Sequence, residues 1–306
     1  MLRRLTLLLA TTLAATAAWA QTQPAPNIRS PQTTPAAPKP FLARIRGLLD
    51  IELPALDPPG TVKLILHPHI SDLVRRDYLR TDAGFRWALN DNFELSAEAA
   101  TFVTHGLRGG GDGYGVGKLE LGTKYIFQEW LRPDFETSVG LTTSLPVGHP
   151  PVDLTDGLAH YTPNFVIQHH SARYAKLTTF AGTSLDFVAH SPVRGTLQPN
   201  QPRDNSVSLT FGGVYDAGQL KWTLAGTYTT TALVSNEPAH FFYLQPSVLW
   251  YVPKKMTFNS KTQWIVGFGA PLTWGPDGFE FKANSRVRAE ITFRQVIEKM
   301  RLSYER

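Results

Sequence analysis

The segment Gly115–Phe127, GVGKLELGTKYIF, alternates mainly apolar and polar residues with a period of two. Successive side chains of a β-strand point to opposite faces of the sheet, so this period predicts a strand with one apolar and one charged face. The same alternation occurs in Asp77–Leu89, Phe135–Leu145 and, most clearly, Phe279–Arg294. In the first segment one face holds Leu119, Leu121, Thr123, Tyr125 and Phe127, and the other holds Lys118, Glu120, Gly122 and Lys124.

The whole chain, read in this way, predicts about twelve strands, with ten and fourteen as the neighbouring alternatives. Several of these strands exceed the roughly 5–6 residues usual in globular sheets. They match the ~9–11 residues that cross a bilayer at a tilt. The predicted strands lie near 61–70, 77–89, 92–104, 115–128, 133–146, 160–171, 173–188, 205–216, 219–232, 240–252, 255–270 and 279–294.

The connections between these strands alternate between short and long. Transmembrane barrels show this asymmetry, because their periplasmic turns are short and their external loops are longer. An even number of strands then places both ends of the barrel on the periplasmic side. Short connections are predicted at Asn90-Asp91, Gln128–Arg132, Ser171-Ala172, Asp216–Gly218 and Pro253-Lys254, and long ones near 105–114, 146–159, 189–204, 233–239 and 271–278.

Two all-β folds fit the alternation, a closed antiparallel transmembrane β-barrel and a soluble periplasmic β-sandwich. The distribution of aromatic residues favours the barrel, because they cluster near the short-turn ends of the strands, where a lipid–water boundary would lie. We therefore predict the barrel, with its apolar face toward lipid. The aromatic residues at these ends are Trp87, Tyr125, Phe127, Trp130, Phe135, Tyr215, Trp222, Trp250 and Phe258.

The composition excludes several other classes of protein. The chain has 306 residues and no cysteine, which excludes a disulfide framework, a thiolate metal site and a cysteine nucleophile. Its net charge of +5 comes without any Lys/Arg-rich run, so we expect no nucleic-acid partner. Beyond residue 20 no apolar run approaches the ~18 residues of a membrane-spanning helix, which excludes a multi-helix membrane protein.

The N-terminal region has the form of an export signal followed by a linker. Arg3 and Arg4 precede an apolar run, and Ala18-Trp19-Ala20 has the small-x-small pattern of a cleavage site. The next twenty residues are rich in proline and poor in large apolar residues, which predicts disorder. The predicted organisation is a signal peptide at 1–20, a disordered linker at 21–40, a short segment with a candidate helix at 41–60, the barrel at 61–294 and a C-terminal tail at 295–306.

The polar face of the predicted strands carries most of the ionisable residues. In a barrel this face lines the lumen, where the charges either neutralise each other along the wall or form a permeation surface. Arg286, Arg288 and Arg294 make the last strand the most basic and predict a mild preference for anions. The candidate lumen residues are Arg80, Asp82, Arg86, Glu94, Glu98, Lys118, Glu120, Lys124, Glu136, Lys261, Glu280, Lys282, Arg286, Arg288, Glu290 and Arg294.

One histidine–serine pair, one histidine pair and one glycine-rich stretch are alternative sites. His169 and Ser171 share a strand face and could belong to an outer-membrane lipid hydrolase, although they lie at the short-turn end. His67 and His69 also share a face and could bind a metal, but no third ligand is evident in the sequence. Gly109–Gly117 opens no helix, so it predicts a flexible loop and not a nucleotide site. We therefore predict no catalytic residue, no cofactor and no metal.

Two stretches of the chain resemble a known family of bacterial outer-membrane barrels. Gly115–Phe127 has the Gly-rich approach and the LGxKYxF strand of the transporter-like proteins named after a phenol-degradation pathway. Leu141–Gly148, LTTSLPVG, has the LPxG ending of the next strand in that family. The resemblance covers about residues 92–190. It implies an integral outer-membrane barrel that passes small hydrophobic or aromatic solutes, and it implies no catalytic residue.

The sequence thus predicts an exported, integral outer-membrane β-barrel that is a passive channel for small solutes and not an enzyme. Its expected partners are outer-membrane lipid and the solutes themselves. The sequence leaves open the oligomeric state and whether the lumen is open, plugged by Phe41–Leu56 or filled by side chains. The alternatives are an outer-membrane lipid hydrolase and a soluble periplasmic β-sandwich that binds a ligand.

Overall fold

The computed structural model describes residues 53–70, 72–107, 113–127, 134–171, 174, 176–197, 199–233, 237–258 and 262–292. The predicted signal peptide, the linker, the C-terminal tail and residues 41–52 lie outside this described part of the chain. Among the described residues, no helix is long and apolar enough to cross a membrane.

Long antiparallel strands form where the sequence alternates. Two short helices interrupt them, α1 (Asp72–Arg75) and a 3₁₀-helix (Lys254–Thr257), both in connections. The strands are β1 (Val62–Pro68), β2 (Tyr78–Ala88), β3 (Phe93–Thr104), β4 (Tyr114–Phe127), β5 (Phe135–Pro146), β6 (Leu158–His170), β7 (Leu177–His190), β8 (Ser206–Ala217), β9 (Leu220–Thr230), β10 (His240–Tyr251), β11 (Gln263–Gly269), β12 (Leu272–Gly275), β13 (Gly278–Phe281) and β14 (Asn284–Thr292).

The strands close into a single barrel. β1 to β10 pair in chain order, β10 also pairs with β11, β11 pairs with β14, and β14 pairs with β1. The first and last strands are therefore neighbours, with Leu64 opposite Ile291. Closure leaves this circuit without an unpaired edge, as a sheet in hydrocarbon requires. The predicted closed antiparallel barrel is confirmed, and the sandwich alternative is wrong because one continuous sheet replaces two stacked ones.

The fourteen strand segments occupy twelve positions around the barrel. Ser247 lies opposite Gly269 of β11, and Phe242 lies opposite Trp274 of β12, so β11 and β12 keep one register along β10. β13 and β14 likewise keep one register against β12 and β11. Two pairs of segments therefore count as two long strands, and the predicted number of strands is confirmed.

The last two strands differ from the prediction at their ends. A tight turn at Pro253-Lys254 and a strand from residue 255 were expected, but the 3₁₀-helix occupies this stretch. Phe258 ends that helix with a left-handed φ of 53°, and β11 begins only at Gln263. This connection is consequently longer than predicted.

A two-residue interruption also divides each of these two strands. Proline lacks the N–H that a ladder needs, and Pro271 lies between β11 and β12. The predicted strand at 279–294 is interrupted at Lys282-Ala283, where the N–H of Lys282 still donates to the carbonyl of Pro271 at 3.0 Å. The register survives the break because this hydrogen bond bridges it.

Apolar side chains point outward around the barrel. In β8, Leu209 and Phe211 are 50% and 51% exposed, whereas Val214 on the opposite face is buried. Trp87 and Trp222 are also exposed, near the ends of their strands. An apolar surface of this extent marks a contact with a membrane or another apolar phase. The barrel therefore has a polar interior and an apolar exterior, the reverse of a soluble protein.

Candidate functional site

The barrel encloses a cavity of about 420 Å³. Side chains from β1 to β8 all contribute to its wall, so the cavity lies in the lumen. Its volume falls within the ~300–1,000 Å³ typical of small-molecule pockets. The lumen therefore has room for a small solute.

The wall of this cavity has an ionic half and a hydroxyl-rich half. The ionic half belongs to β2, β3 and β4, and the hydroxyl-rich half belongs to β5 to β8. Both halves offer hydrogen bonds to a polar solute. The ionic half contains Asp82, Arg86, Glu98, Lys118 and Glu120, and the other contains Thr142, Thr162, Asn164, Ser184 and Thr210.

The charges of the ionic half continue into a narrower space along β3 and β4. Lys118 Nζ lies 3.2 Å from Glu120 Oε2, so part of the charge is internally paired. The narrower space of about 40 Å³ is lined in part by Arg86, Glu94 and Lys124, all of which are buried. The ionic wall therefore extends from the cavity toward the end of the barrel that carries the short connections.

The chain itself fills the lumen near that end. The lumen segment, Leu53–Asp57, precedes β1 and is buried at Leu53 and Pro54. Lys124 Nζ donates to the carbonyl oxygen of Leu53 at 2.9 Å, and Gln168 Nε2 donates to that of Pro54 at 3.0 Å. Inward side chains of β4 and β6 thus donate the hydrogen bonds that these two backbone carbonyls of the lumen segment would receive from a neighbouring strand in a sheet.

Apolar contacts hold the lumen segment from the other side. Leu53 and Ala55 belong to one cluster with inward side chains of β7 to β11, and Leu53 is only 1% exposed. The segment therefore reaches across the lumen from β4 and β6 to β7–β11. It forms no helix within residues 53–60, the described part of the predicted 41–60 segment. The apolar cluster of the wall consists of Phe180, Val214, Ala225, Leu249 and Ile265.

A buried ionic cluster fixes the point where the lumen segment joins the barrel. Lys63 Nζ lies 2.7 Å from Asp57 Oδ2 and 3.6 Å from Glu290 Oε2. Arg288 Nε lies 3.1 Å from Glu290 Oε1, and these side chains of β1 and β14 are almost fully buried. Removal of one partner from a buried ion pair costs about 3–5 kcal/mol. The cluster therefore ties the lumen segment to the seam where the barrel closes.

The connection between β5 and β6, residues 147–157, narrows the opposite end of the lumen. Leu154 is buried and packs with Tyr78 and Phe102 of the inner wall. A β-bulge between β3 and β4 brings Gly117 beneath it, where an added Cβ would lie 2.0 Å from Leu154 Cδ2. Only a glycine leaves room for the side chain of this connection.

Polar contacts hold the same connection in place. Tyr78 donates its hydroxyl proton to Asp153 Oδ1 at 2.8 Å, and Asp156 Oδ2 lies 2.9 Å from His160 Nε2. Burial alone would raise the pKa of Asp156, but the hydrogen bonds from His160 and from the backbone of Leu158 hold it below its usual value. Asp156 therefore stays ionised at neutral pH.

The candidate lumen residues are spread along the barrel and do not form one site. Seven of them line the cavity or its narrow extension, as described above. Glu136 accepts a hydrogen bond from Gln168, and Lys282 Nζ lies 2.8 Å from Glu280 Oε1 beyond the end of β13. Arg80 contacts His69, and Arg288 and Glu290 belong to the buried ionic cluster. Arg286 occupies the position opposite Gly267, and Lys261 and Arg294 lie outside the described residues.

His169 and Ser171, the residues considered for a lipid hydrolase, make their described contacts with other residues and not with each other. His169 Nε2 lies 3.0 Å from Asp134 Oδ2, and its ring packs against Phe135 with centroids 4.7 Å apart. Ser171 Oγ accepts a hydrogen bond from the backbone N–H of Tyr174 at 3.0 Å. These contacts stabilise a turn at the end with the short connections. Of the glycine-rich stretch 109–117, residues 109–112 lie outside the described part.

The sequence left open whether Phe41–Leu56 plugs the lumen, and it did not predict the course of the lumen segment. The hydrogen bonds that hold this segment to β4 and β6 join residues more than 70 positions apart, as between Leu53 and Lys124. Asp82 was not recognised as a neighbour of the histidine pair, although β1 and β2 place it directly opposite His67. Because β1 and β2 are antiparallel neighbours, their register could have been derived from the length of the connection between them, and that register pairs His67 with Asp82.

No protein-family profile and no curated protein sequence matches this chain. Among solved structures, its fold is similar to the COG4313 outer membrane channel from Pseudomonas putida F1. The TM-score is 0.51 at 13% identity, over 78% of this chain and 97% of that chain. A KdgM porin in complex with disordered oligogalacturonate gives a TM-score of 0.45 at 9% identity, over 76% of this chain and 98% of that one. The closed antiparallel sheet and its similarity to the COG4313 channel show that the chain has the fold of an outer-membrane β-barrel.

Proposed function

We propose that this protein is an integral outer-membrane channel through which small polar solutes pass passively. The observation that carries the proposal is the polar lumen cavity of about 420 Å³ inside a closed sheet with an apolar exterior. Such an exterior stabilises the protein only in contact with lipid tails. The predicted export signal and the outer-membrane barrel fold support the same location.

The lining of the cavity favours polar solutes over apolar ones. Val166 and Phe180 are the large apolar side chains among its lining residues, and the rest of the wall is ionic, imidazole, hydroxyl, amide or glycine. The family resemblance in the sequence implies hydrophobic or aromatic solutes, and uptake of such solutes is the competing outcome. Cations and anions are interspersed within the ionic half, where Lys118 Nζ lies 3.2 Å from Glu120 Oε2. Part of the charge is therefore neutralised, and we expect only a weak preference for anions.

The lumen segment controls this passage. It is held by two side-chain hydrogen bonds on one side and by an apolar cluster on the other, and it spans the space between them. A solute passes the full length of the barrel only when the segment shifts. We therefore expect a small conductance with frequent closures.

Recordings in planar bilayers, combined with solute uptake into liposomes, test the proposal. The full chain should migrate at different positions on a detergent gel before and after heating, as a folded barrel does, and should be recovered with washed membranes. It should carry small stepwise currents and admit small amino acids and sugars more readily than aromatic hydrocarbons. Folded, membrane-inserted protein that carries neither current nor solute, with or without residues up to Asp57, would contradict the proposal.

A further inference from the structure

His67, His69 and Asp82 form a cluster on the wall of the lumen cavity, at the ends of β1 and β2 that carry the longer connections. His67 lies directly opposite Asp82 in the β1–β2 ladder. His69 follows β1, and its backbone N–H donates to the carbonyl of Arg80 at 2.9 Å, which fixes its position beside the same carboxylate. The backbone of one hairpin therefore holds all three side chains.

The ligand atoms of the three side chains are close enough to share one metal ion. His69 Nε2 lies 2.5 Å and His67 Nδ1 lies 3.7 Å from Asp82 Oδ2, and all three atoms lie within 4.8 Å of one another. Tetrahedral metal–ligand distances of about 2.0–2.2 Å put ligand atoms roughly 3.3–3.6 Å apart. The distances from the two ring nitrogens to Asp82 Oδ2 lie on either side of this spacing.

We propose that His67, His69 and Asp82 bind one Zn²⁺ ion, with the fourth coordination position open to the lumen. Two imidazole nitrogens and one carboxylate are ligands that suit zinc and its neighbours in the first transition row. Mg²⁺ and Ca²⁺ prefer an all-oxygen set, so the donor chemistry discriminates against them. The side chains of all three residues are only 11–19% exposed, and they line the cavity through which solutes would pass.

Arg80 regulates this site through the other ring nitrogen of His69. Arg80 Nη2 donates to His69 Nδ1 at 2.9 Å. Because arginine only donates, the ring proton of His69 is on Nε2 and is directed at Asp82. A metal takes the lone pair of Nε2, so the ring proton moves to Nδ1 and Arg80 must leave. Arg80 Nε already lies 3.7 Å from Asp72 Oδ2, so the guanidinium can pair with the Asp72 carboxylate after it leaves His69.

A bound ion would change the lumen in two ways. It adds positive charge to the ionic half of the wall, which already contains Arg86 and Lys118 beside Glu98 and Glu120. It also links β1 to β2 at the wall of the cavity. Zn²⁺ added to an open channel should therefore lower its conductance.

The first experiment measures metal binding to the purified full chain in detergent, prepared without an affinity tag that contains histidine. Co²⁺ serves as the probe, because its visible absorption reports tetrahedral coordination, and Zn²⁺ is then added in competition. We expect one Co²⁺ per chain, displacement by stoichiometric Zn²⁺ and no displacement by Mg²⁺. Equal competition by Mg²⁺, or no tetrahedral spectrum, would overturn the proposal.

Variants decide whether the named residues are the ligands. His69→Gln and Asp82→Asn should each weaken Zn²⁺ binding by about 10–100-fold or more, and His149→Gln, at an exposed histidine outside the cluster, should leave it unchanged. Arg80→Gln should strengthen binding, by up to about tenfold, because a glutamine oxygen can accept the proton on Nδ1.

A fold check by heat-modifiable migration accompanies each variant, and His69→Gln alone suffices if Asp82→Asn does not fold. Unchanged affinity in folded His69→Gln, or weaker binding in Arg80→Gln, would refute the assignment. Binding in detergent needs no conductance, so this result is independent of whether the channel proposal holds.

Discussion

At the scale of single residues, Gly117 determines whether the connection between β5 and β6, residues 147–157, can lie inside the lumen. The position belongs to β4 and sits at a bulge, so its missing side chain leaves a hollow in the inner wall. Leu154 occupies the hollow and in turn packs on Tyr78 and Phe102. The position of the 147–157 connection in the lumen therefore depends on residue 117 having no side-chain methyl group.

We predict that Gly117→Ala displaces the connection at 147–157. The new methyl group would lie 2.0 Å from Leu154 Cδ2 and 2.7 Å from Pro150 Cβ, and overpacking of this kind costs about 1–3 kcal/mol. Limited proteolysis should show faster cleavage within the connection, and the channel conductance should change. Gly113→Ala is the matched control, because its nearest contact is Thr104 Cγ2 at 3.9 Å, and it should behave as the parent does. Equal cleavage of the two variants would show that Leu154 does not depend on Gly117.

At the scale of elements, the lumen segment is held by few but specific contacts. Its backbone carbonyls have charged or amide donors, and Leu53 contributes about 1.5–3 kcal/mol through burial. Hydrogen bonds to a charged group contribute about 1.5–3 kcal/mol each. We call the segment seated when it makes these contacts and released when it does not. The free energy lost with one such contact is large enough to shift the balance between these two states.

We predict that Lys124→Met releases the lumen segment and raises the channel's open probability. The substitution keeps a long unbranched side chain and removes the ammonium group that donates to the carbonyl of Leu53. A loss of about 1.5–3 kcal/mol corresponds to a roughly 10–150-fold shift in the seated-to-released ratio. Single-channel recording measures the shift directly.

Lys118→Met is the matched control for this experiment. Lys118 lies on the same strand and the same face, but its described partner is Glu120 and not the lumen segment. It should change ion selectivity without changing the frequency of closures. If both variants open the channel to the same extent, loss of lumen charge is the cause and the segment is not the gate.

How far these elements were predictable from the sequence depends on the range of the contacts that define them. Alternation is local, so the bounds of β2, β3 and β4 agree with prediction to within about one or two residues. The last hairpin was less predictable, because Pro271 breaks the ladder without ending the register. The lumen segment lacks any repeating pattern, and only the closed barrel brings Gln168 to Pro54.

At the scale of the whole molecule, each strand has one face toward the lumen and one toward the exterior. Leu141 in the middle of β5 is 43% exposed on the outside, whereas the next residue, Thr142, lines the lumen cavity. A shift of one residue thus moves a side chain between two different solvents. A soluble barrel or sandwich would assign the opposite solvents to these two positions.

This arrangement predicts that the same charge has different effects at two adjacent positions. Leu141→Arg places a guanidinium in hydrocarbon near mid-strand, and we expect it to destabilise the folded protein by about 2–4 kcal/mol in lipid bilayers. Thr142→Arg places the same group in the lumen, within reach of water and of the acidic residues of the ionic half. It should cost much less and should instead alter ion selectivity. Reversible unfolding in denaturant from liposomes measures both free energies. A larger cost at Thr142 than at Leu141 would mean that the apolar face does not contact lipid, because the penalty follows the solvent that each side chain meets.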